Sequence, residues 1–453
     1  MLIKSAAVAG FVLVVCLSGG SICLSAEETD IGEKAAWHDE LYDEFAEGFD
    51  YTLRFLTYGM LQKPAGTSQN PQNDFLQIPR YLGVFAFRPD LHQNFKRLEL
   101  SVKPRMNLEW AAWEDGIRDG ETDFEDDFFI NQWLTRISVT DALFLSYGRE
   151  NLQWGPSYLL SPSNPFFRDN GRRNPKQEVA GMDFARLVWL PDMAWTLSLI
   201  ANTDQGRQEF LLQDFEKSYA AKLDYAGQED YASLIFSHSE NGHNFVGVFG
   251  GRTVTDAFLL YGEGNLSRNF TGLYPAAADN PLDADMQSTD DRSSSVRGIG
   301  LLGGSYTLSS GPTLTAEYVY NGRGYNSDQA DQYYLLRKKA ADAFRFVGRD
   351  SDQIHNLSRS VLARTMDPGL RLLRQNYLLL QYSHNDIRDV LNITLRQTLN
   401  VDDSSGQFIG MLEYYLGDHI QLFSILNANS GGSDTEFGSM HDYQWIVGLE
   451  FTF

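Results

Sequence analysis

One long stretch of the chain alternates strictly between apolar and polar residues. Between Arg97 and Trp110, in RLELSVKPRMNLEW, every even position is apolar or proline and every odd position is polar. Side chains alternate across a β-strand, so this period of two predicts a strand whose faces prefer different surroundings. The run exceeds the roughly 5–6 residues that are usual for strands of soluble proteins. It therefore favours a membrane-spanning strand over a half-solvated strand of a soluble sandwich.

Similar patterns along the rest of the chain predict about 18 strands. They span residues 49–61, 80–88, 96–112, 128–139, 142–149, 182–190, 193–203, 215–226, 230–239, 244–253, 257–266, 296–308, 312–321, 376–384, 389–400, 406–415, 419–427 and 442–453.

The connections between these strands alternate in length. Every second connection is short, from TD or SSGP up to RPDLHQNF, whereas most of the others are long, including 62–79, 150–181 and 322–375. ENGHN and DDSSG are exceptions, and loop 322–375 contains a segment with helical character, QADQYYLLRKKAADAFRFV. Short turns at one end and long loops at the other are typical of bacterial outer-membrane barrels. The sequence therefore predicts an all-β fold, a transmembrane antiparallel β-barrel of about 16–18 strands, with 18 as the best count, over residues 49–453.

The end of the chain agrees with this prediction. Apolar residues occupy alternate positions from Tyr443 to Phe453, and the ending GLEFTF resembles the C-terminal signal of outer-membrane barrels. Aromatic residues make up 13% of the chain, which suits the aromatic girdles at a membrane interface. The expected location is the bacterial outer membrane. The expected partners are membrane lipid, lipopolysaccharide, the barrel-assembly machinery and a small solute or polysaccharide.

The first 26 residues have the features of a secretory signal peptide. A positive charge, an apolar core and small residues follow one another, and cleavage is expected after Ala26, with a cut nearer Ser21 as the alternative. Both cysteines, Cys16 and Cys23, lie within residues 1–26. Residues 27–48 are acidic, and the spacing of their apolar residues predicts a short periplasmic helix, with an unstructured tail as the alternative.

Composition and motifs argue against several classes of function. A net charge of −23 argues against nucleic acid as a partner. No Gly-x-Ser-x-Gly elbow is present and the histidines are scattered, so neither catalytic residues nor enzymatic activity is expected. No cofactor or metal site is expected either. The acidic stretch 113–127 could bind a divalent cation, but it lacks the ordered EF-hand spacing, and an ordinary solvated loop is the favoured interpretation.

The most distinctive loop, 150–181, combines turn-forming residues with aromatic and basic side chains. Its sequence GRENLQWGPSYLLSPSNPFFRDNGRRNP predicts a compact loop. Two interpretations stay open: the loop folds inward and narrows a pore, which is favoured, or it stacks and hydrogen-bonds a sugar. The candidate pore or ligand-binding residues are Arg149, Trp154, Asn164, Phe166, Arg168, Arg172 and Arg173.

Polar residues on the inward faces of the predicted strands form a candidate lumen wall. A basic arc across a lumen would favour anionic solutes, because low-dielectric walls strengthen the field. The alternative is a salt-bridge network that only stiffens the wall. The residues expected to face the lumen are Arg97, Glu99, Lys103, Arg105, Glu109, Arg136 and Arg396. Pro104 is expected at a bulge, where its missing donor is tolerated.

The segment GRENLQWGPSYLLSPSNPFF resembles a motif of the capsule-assembly Wzi family, and Gly148-Arg149-Glu150 after a strand resembles the alginate-export family. Both resemblances imply an outer-membrane barrel that handles a saccharide. The expected function is a porin-like channel that passes small solutes or exports an anionic or saccharide polymer. The alternative is a plugged barrel that binds and anchors surface polysaccharide.

Overall fold

The computed structural model describes residues 47–209, 214–268, 272–276, 285–288, 296–348 and 351–453. The signal peptide expected at 1–26 and nearly all of the acidic segment expected at 27–48 lie outside these residues. The unit Phe49–Phe453 contains the barrel strands.

Eighteen antiparallel strands form one sheet that closes on itself. Each barrel strand pairs with the next barrel strand in the chain, and the last pairs with the first, with Arg54 opposite Thr452. The predicted fold class and the best count of 18 are confirmed. The barrel strands are β1 (Phe49–Pro64), β2 (Tyr81–Phe95), β3 (Leu98–Ala112), β4 (Thr122–Thr140), β5 (Leu143–Glu150), β6 (Met182–Trp189), β7 (Trp195–Asp204), β8 (Ser218–Ala226), β9 (Asp230–Ser239), β10 (Asn244–Thr255), β11 (Phe258–Arg268), β14 (Arg297–Thr307), β15 (Thr313–Asn321), β16 (Asn376–Ile387), β17 (Leu391–Asn400), β18 (Gly406–Leu416), β19 (Ile420–Ser430) and β20 (His441–Thr452).

The connections sort by length as the sequence predicts, with short turns at one end and the long loops at the other. The loop between β11 and β14 contains a hairpin, β12 (Leu273–Ala276) and β13 (Asp285–Ser288). The loop after β15 contains the predicted helix, α1 (Ser327–Phe344), and a second helix that the sequence analysis missed, α2 (Ser351–Met366). Asn326 begins α1 with a capping box, in which its side chain accepts a hydrogen bond from Gln329 N.

Two strand boundaries differ from the prediction by more than three residues. β2 continues to Phe95, so the stretch interpreted as the turn RPDLHQNF is mostly strand, and only residues 96–97 connect β2 to β3. β4 begins at Thr122, so the last six residues of the acidic stretch 113–127 are strand rather than loop. Both extensions are rich in polar residues, which in β4 are mostly acidic, and so they lack the apolar alternation on which the prediction relied.

The side chains of the opening stretch divide between the two faces of β3. Met106 and Trp110 are exposed, whereas Arg105 is 1% exposed and lies against carboxylates inside the barrel. The pairing of β3 with β4 shifts register between Lys103 and Pro104. The expected bulge at Pro104 is therefore confirmed, and the proline lies where the ladder is already interrupted.

Large apolar side chains cover the outward face of the strands. Leu199, Phe236 and Leu302 are examples, with exposed fractions of 47%, 52% and 71%. Apolar surface of this extent is costly in water but matches the hydrocarbon core of a bilayer. Among the helices that the structure describes, none is long and apolar enough to span a membrane.

Candidate functional site

The loop between β5 and β6, residues 151–181, lies inside the barrel. Its residues hydrogen-bond to inward side chains on strands from different sides of the wall, namely β3, β11, β15 and β17. The wall residues involved are Arg105, Glu263, Glu317 and Arg396, each near the middle of its strand. The loop therefore crosses the lumen at about half the height of the barrel.

Glu263 on β11 holds the first part of this loop. Its carboxylate accepts hydrogen bonds from the hydroxyls of Ser157 (2.6 Å), Ser161 (2.8 Å) and Ser163 (2.7 Å), and from Ser163 N (3.0 Å). Glu263 is 4% exposed. A buried carboxylate with four donors is satisfied without a cation, so Glu263 fixes the loop rather than attracting a solute.

Glycine is required at position 155 of the Trp-Gly-Pro turn. Gly155 has a φ of +89°, and a Cβ there would lie 2.4 Å from Glu263 Oε2. Both the left-handed backbone and the close approach of the carboxylate exclude a side chain. The Trp-Gly-Pro sequence thus provides the turn that docks onto Glu263.

A second carboxylate on the wall extends this attachment. Glu317 on β15 accepts hydrogen bonds from Tyr158 N at 2.7 Å and Leu159 N at 3.0 Å, and also from Tyr261 OH at 2.7 Å. From the side of the long loops, Arg371 donates hydrogen bonds to the carbonyls of Ser161 and Asn164. Burial lowers the pKa of Arg371 to about 9, so it remains charged at neutral pH.

The last part of the loop binds the opposite wall through ion pairs. Glu178 receives hydrogen bonds from Arg105 at 2.6 and 2.7 Å, and Arg105 also binds Asp90 at 2.7 Å. Arg88 donates to the carbonyl of Lys176 at 2.9 Å. Burial raises the pKa of Glu178, but the hydrogen bonds from Arg105 and the other nearby arginines outweigh it, so the pKa lies below its ordinary value.

The aromatic candidates pack between the loop and the wall. The rings of Trp154 and Phe166 meet edge to face with centroids 6.0 Å apart, and Phe166 meets Phe184 of β6 at 5.0 Å. Lys222 lies 5.5 Å above the Trp154 ring. Asn164 is fully buried, and its Oδ1 accepts hydrogen bonds from Phe166 N and Phe167 N. These contacts are those of an anchored loop.

The four basic candidates have different partners. Arg149 pairs with Asp183 across β5 and β6 at 2.7 Å, and the exposed Arg168 pairs with Asp367 at 2.8 Å. Arg172 donates to the carbonyls of Pro156 and Ser157 at 2.7 Å and so closes the loop on itself. Arg173 is exposed, donates to Gln407 at 3.2 Å, and has no carboxylate partner in the part of the chain that the structure describes.

The residues predicted to face the lumen also differ in their partners. Arg136 pairs with Glu99 at 2.7 Å, and Lys103 donates to Gln132 at 3.0 Å. Glu109 lies opposite Glu125 in the β3–β4 register.

Arg396 is 4% exposed and donates to Gln381 and to the carbonyl of Arg172. Arg97 lies in the exposed two-residue turn before β3, because the strand begins two residues later than predicted, and is therefore not part of the strand wall.

A polar cavity of about 540 Å³ separates the last part of the loop from the wall. Loop residues including Arg173 and Gln177 line one side. Ile409, Ile425 and Ile446, on β18, β19 and β20, line the other side. The loop thus narrows the lumen and leaves a cavity bounded by polar and charged loop residues and by a wall of three isoleucines with Asn427 and Gln444.

Sequence reasoning missed the wall residues that position the loop, above all Glu263 and Glu317. Both carboxylates occupy inward positions of strands: Glu263 lies between Gly262 and Gly264, and Glu317 precedes the outward Tyr318. A search for isolated carboxylates at inward positions would have found them. Their partners lie more than 100 residues away in the chain, which no local pattern reveals.

Comparison with known proteins shows the fold. No protein-family model and no curated protein matches the chain. Among solved structures, the chain is similar to OccK7 (OpdD) of Pseudomonas aeruginosa, with a TM-score of 0.53, 10% identity, and coverage of 90% of this chain and 99% of that one. The outer membrane protein OprD from the same organism has a TM-score of 0.51 and 10% identity, with 90% and 94% covered. OccAB3 of Acinetobacter baumannii has a TM-score of 0.50 and 9% identity, with 90% and 99% covered.

At identities this low, the likeness is one of fold. Together with the closed sheet and its apolar outer face, it identifies the chain as an outer-membrane β-barrel, as the sequence predicts. The resemblance to the capsule-assembly and alginate-export families gains no support from these comparisons and stays a prediction.

Proposed function

We propose that the protein is an outer-membrane channel for small solutes, narrowed by loop 151–181. The observation that carries this proposal is the cavity of about 540 Å³ beside a loop that is clamped to the wall at half height. A loop held by buried carboxylates and ion pairs on several strands forms a constriction of defined size. Such a constriction suits discrimination among small molecules.

We further propose that anionic solutes or sugars pass more readily than cations. Many wall cations, such as Arg105 and Arg149, already bind carboxylates and contribute little field. Arg173 lines the cavity without a carboxylate partner among the described residues, whereas Glu178 on the same segment is bound by Arg105. The exposed Arg173 guanidinium is thus a cation without a carboxylate partner in the described part of the chain, in a cavity lining that also contains the carboxylates of Asp169 and Glu209.

Planar-bilayer recording tests both proposals. The wild-type protein should form discrete open channels, and reversal potentials in a salt gradient should indicate anion preference. Arg173→Gln should shift the reversal potential toward cation preference. Lys338→Gln is the matched control, because Lys338 is an exposed cation on α1 and its loss should leave the potential unchanged. Clear cation selectivity of the wild type would contradict the solute proposal.

The alternative is a sealed barrel that anchors surface polysaccharide. Links between loops favour it, since Arg371 ties the segment after α2 to loop 151–181. A sealed barrel would give no single-channel current and would retain polysaccharide on cells. Export of a polymer is less compatible with the structure, because a bulky chain would have to displace the clamped loop.

A further inference from the structure

A buried arginine on α1 donates to unusually weak hydrogen-bond acceptors. Arg337 is 1% exposed, and its guanidinium approaches Thr365 Oγ1 at 3.3 Å and the sulfurs of Met366 and Met440 at 3.1 and 3.3 Å. Its Nε has no acceptor among the described residues. Thioether sulfur is a weak acceptor. A guanidinium buried without a carboxylate carries a large desolvation cost, which an anion would offset.

A cavity of about 240 Å³ adjoins this guanidinium. It lies where the loop that carries α1 and α2 meets loop 431–440. The hydroxyl of Tyr334, 3% exposed, is a second buried polar group at this cavity without a partner in the part of the chain described. Arg371 also lines it. Two buried polar atoms without partners among the residues described and two cations therefore lie at one cavity.

Glu436 also lines the cavity, but its carboxylate accepts hydrogen bonds from groups other than Arg337. It accepts hydrogen bonds from Tyr377 OH at 2.5 Å, Asn400 Nδ2 at 2.8 Å and Leu373 N at 3.1 Å. The cavity lining therefore contains two arginines, Arg337 and Arg371, and this single carboxylate.

We propose that this cavity binds one small monovalent anion, held by the Arg337 guanidinium and the Tyr334 hydroxyl. Met366, Leu370 and Leu373 form apolar parts of its wall. Moving a strongly hydrated divalent anion such as sulfate against such a wall costs more than moving a halide or a short monocarboxylate. The bound anion stabilises the packing of the two loops. The site is distinct from the cavity of about 540 Å³ beside loop 151–181, here called the constriction cavity. It does not depend on the proposed channel activity.

Crystals of the full chain grown with sodium bromide test the site directly. An anomalous bromine peak is expected within hydrogen-bond distance of the Arg337 guanidinium and Tyr334 OH. Acetate in place of bromide distinguishes an organic occupant, because carboxylate density should then replace the peak. Sulfate at the same concentration should not enter. A water molecule alone at this position under both monovalent anions would overturn the proposal.

Variants provide a measurement in solution. Titration of the protein with chloride, followed by broadening of the chloride NMR signal, should show saturable binding. Arg337→Met should abolish this binding, and Tyr334→Phe should weaken it about three- to tenfold through loss of one hydrogen bond. Arg359→Met is the matched control, because Arg359 is exposed on α2 and its removal should have no effect.

A folding control distinguishes loss of the anion site from general loss of structure. Heat-modifiable migration of each variant reports whether the barrel is folded. If Arg337→Met does not fold, Tyr334→Phe, which removes only a hydroxyl, decides the question. Unchanged chloride broadening in a folded Arg337→Met or Tyr334→Phe protein, or an equal loss in Arg359→Met, would contradict the proposed site.

Discussion

At the scale of single residues, the position of loop 151–181 depends on groups that other side chains cannot replace. Gly155 combines a left-handed backbone with a carboxylate where its Cβ would lie. Glu263 combines burial with four loop donors. Neither residue touches the constriction cavity, so each acts on solutes only by fixing where the loop lies.

Gly155→Ala should therefore loosen the loop while the barrel stays folded. The left-handed conformation costs a non-glycine residue about 1–2 kcal/mol, and the contact with Glu263 adds to it. Protection of residues 151–165 against hydrogen exchange should fall roughly tenfold or more. Single-channel current should become noisier, with larger open levels.

Gly120→Ala is the matched control for this change. Gly120 has a φ of +79°, and its Cβ would meet nothing within 4 Å. It therefore shares the backbone strain without the clash, in a loop away from the constriction. Equal effects of the two substitutions on loop 151–181 would mean that the Glu263 contact does not position the loop.

At the scale of elements, the sequence predicted strands well and their long-range contacts poorly. Alternation located every barrel strand, because each separates lipid from a polar interior. It lost the part of β2 after Arg88, where Asp90 faces the lumen beside a proline. It could place Trp154 in a compact loop, but not against Lys222 and Phe166, since those contacts exist only after the barrel closes.

The last part of the loop should respond to pH through Glu178. Because its pKa in the folded protein lies below the ordinary value of 4.5, its ion pair stabilises the docked segment fully above that value. The stabilisation is lost as the pH falls below 4.5 through the folded pKa. We expect conductance to be constant near neutral pH and to change in this acidic range, as segment 172–181 detaches from Arg105.

Glu178→Gln tests this assignment, because glutamine carries no titrating charge. The acidic transition should disappear, and the variant should show an altered conductance already at neutral pH. Glu121→Gln is the control, since Glu121 forms an exposed ion pair with Arg118 in another loop. An unchanged pH profile in Glu178→Gln would assign the transition to other carboxylates.

At the scale of the whole molecule, one closed sheet has an apolar outer face and a polar inner face. The outer face is apolar around the barrel, and the inner face carries ion pairs, buried carboxylates and the folded loop. The closed ladder leaves no strand edge unpaired in the hydrocarbon, which is the condition for crossing a membrane with strands. The lipid-facing side chains and the proposed constriction therefore lie on different faces of the same strands.

Arginine substitutions at two exposed leucines distinguish a surface that faces lipid from a surface that faces water. Leu302 lies in the middle of β14 with an exposed fraction of 71%, and Leu335 lies on α1 with 52%. In a soluble protein both would tolerate a charge. In a bilayer, Leu302→Arg should lower the free energy of unfolding by about 2–4 kcal/mol, because a cation at the midplane loses its hydration. Leu335→Arg should change it little, because its side chain faces water in the long loop. Urea unfolding in lipid vesicles measures both, and equal, small effects would mean that the apolar face of β14 does not meet lipid.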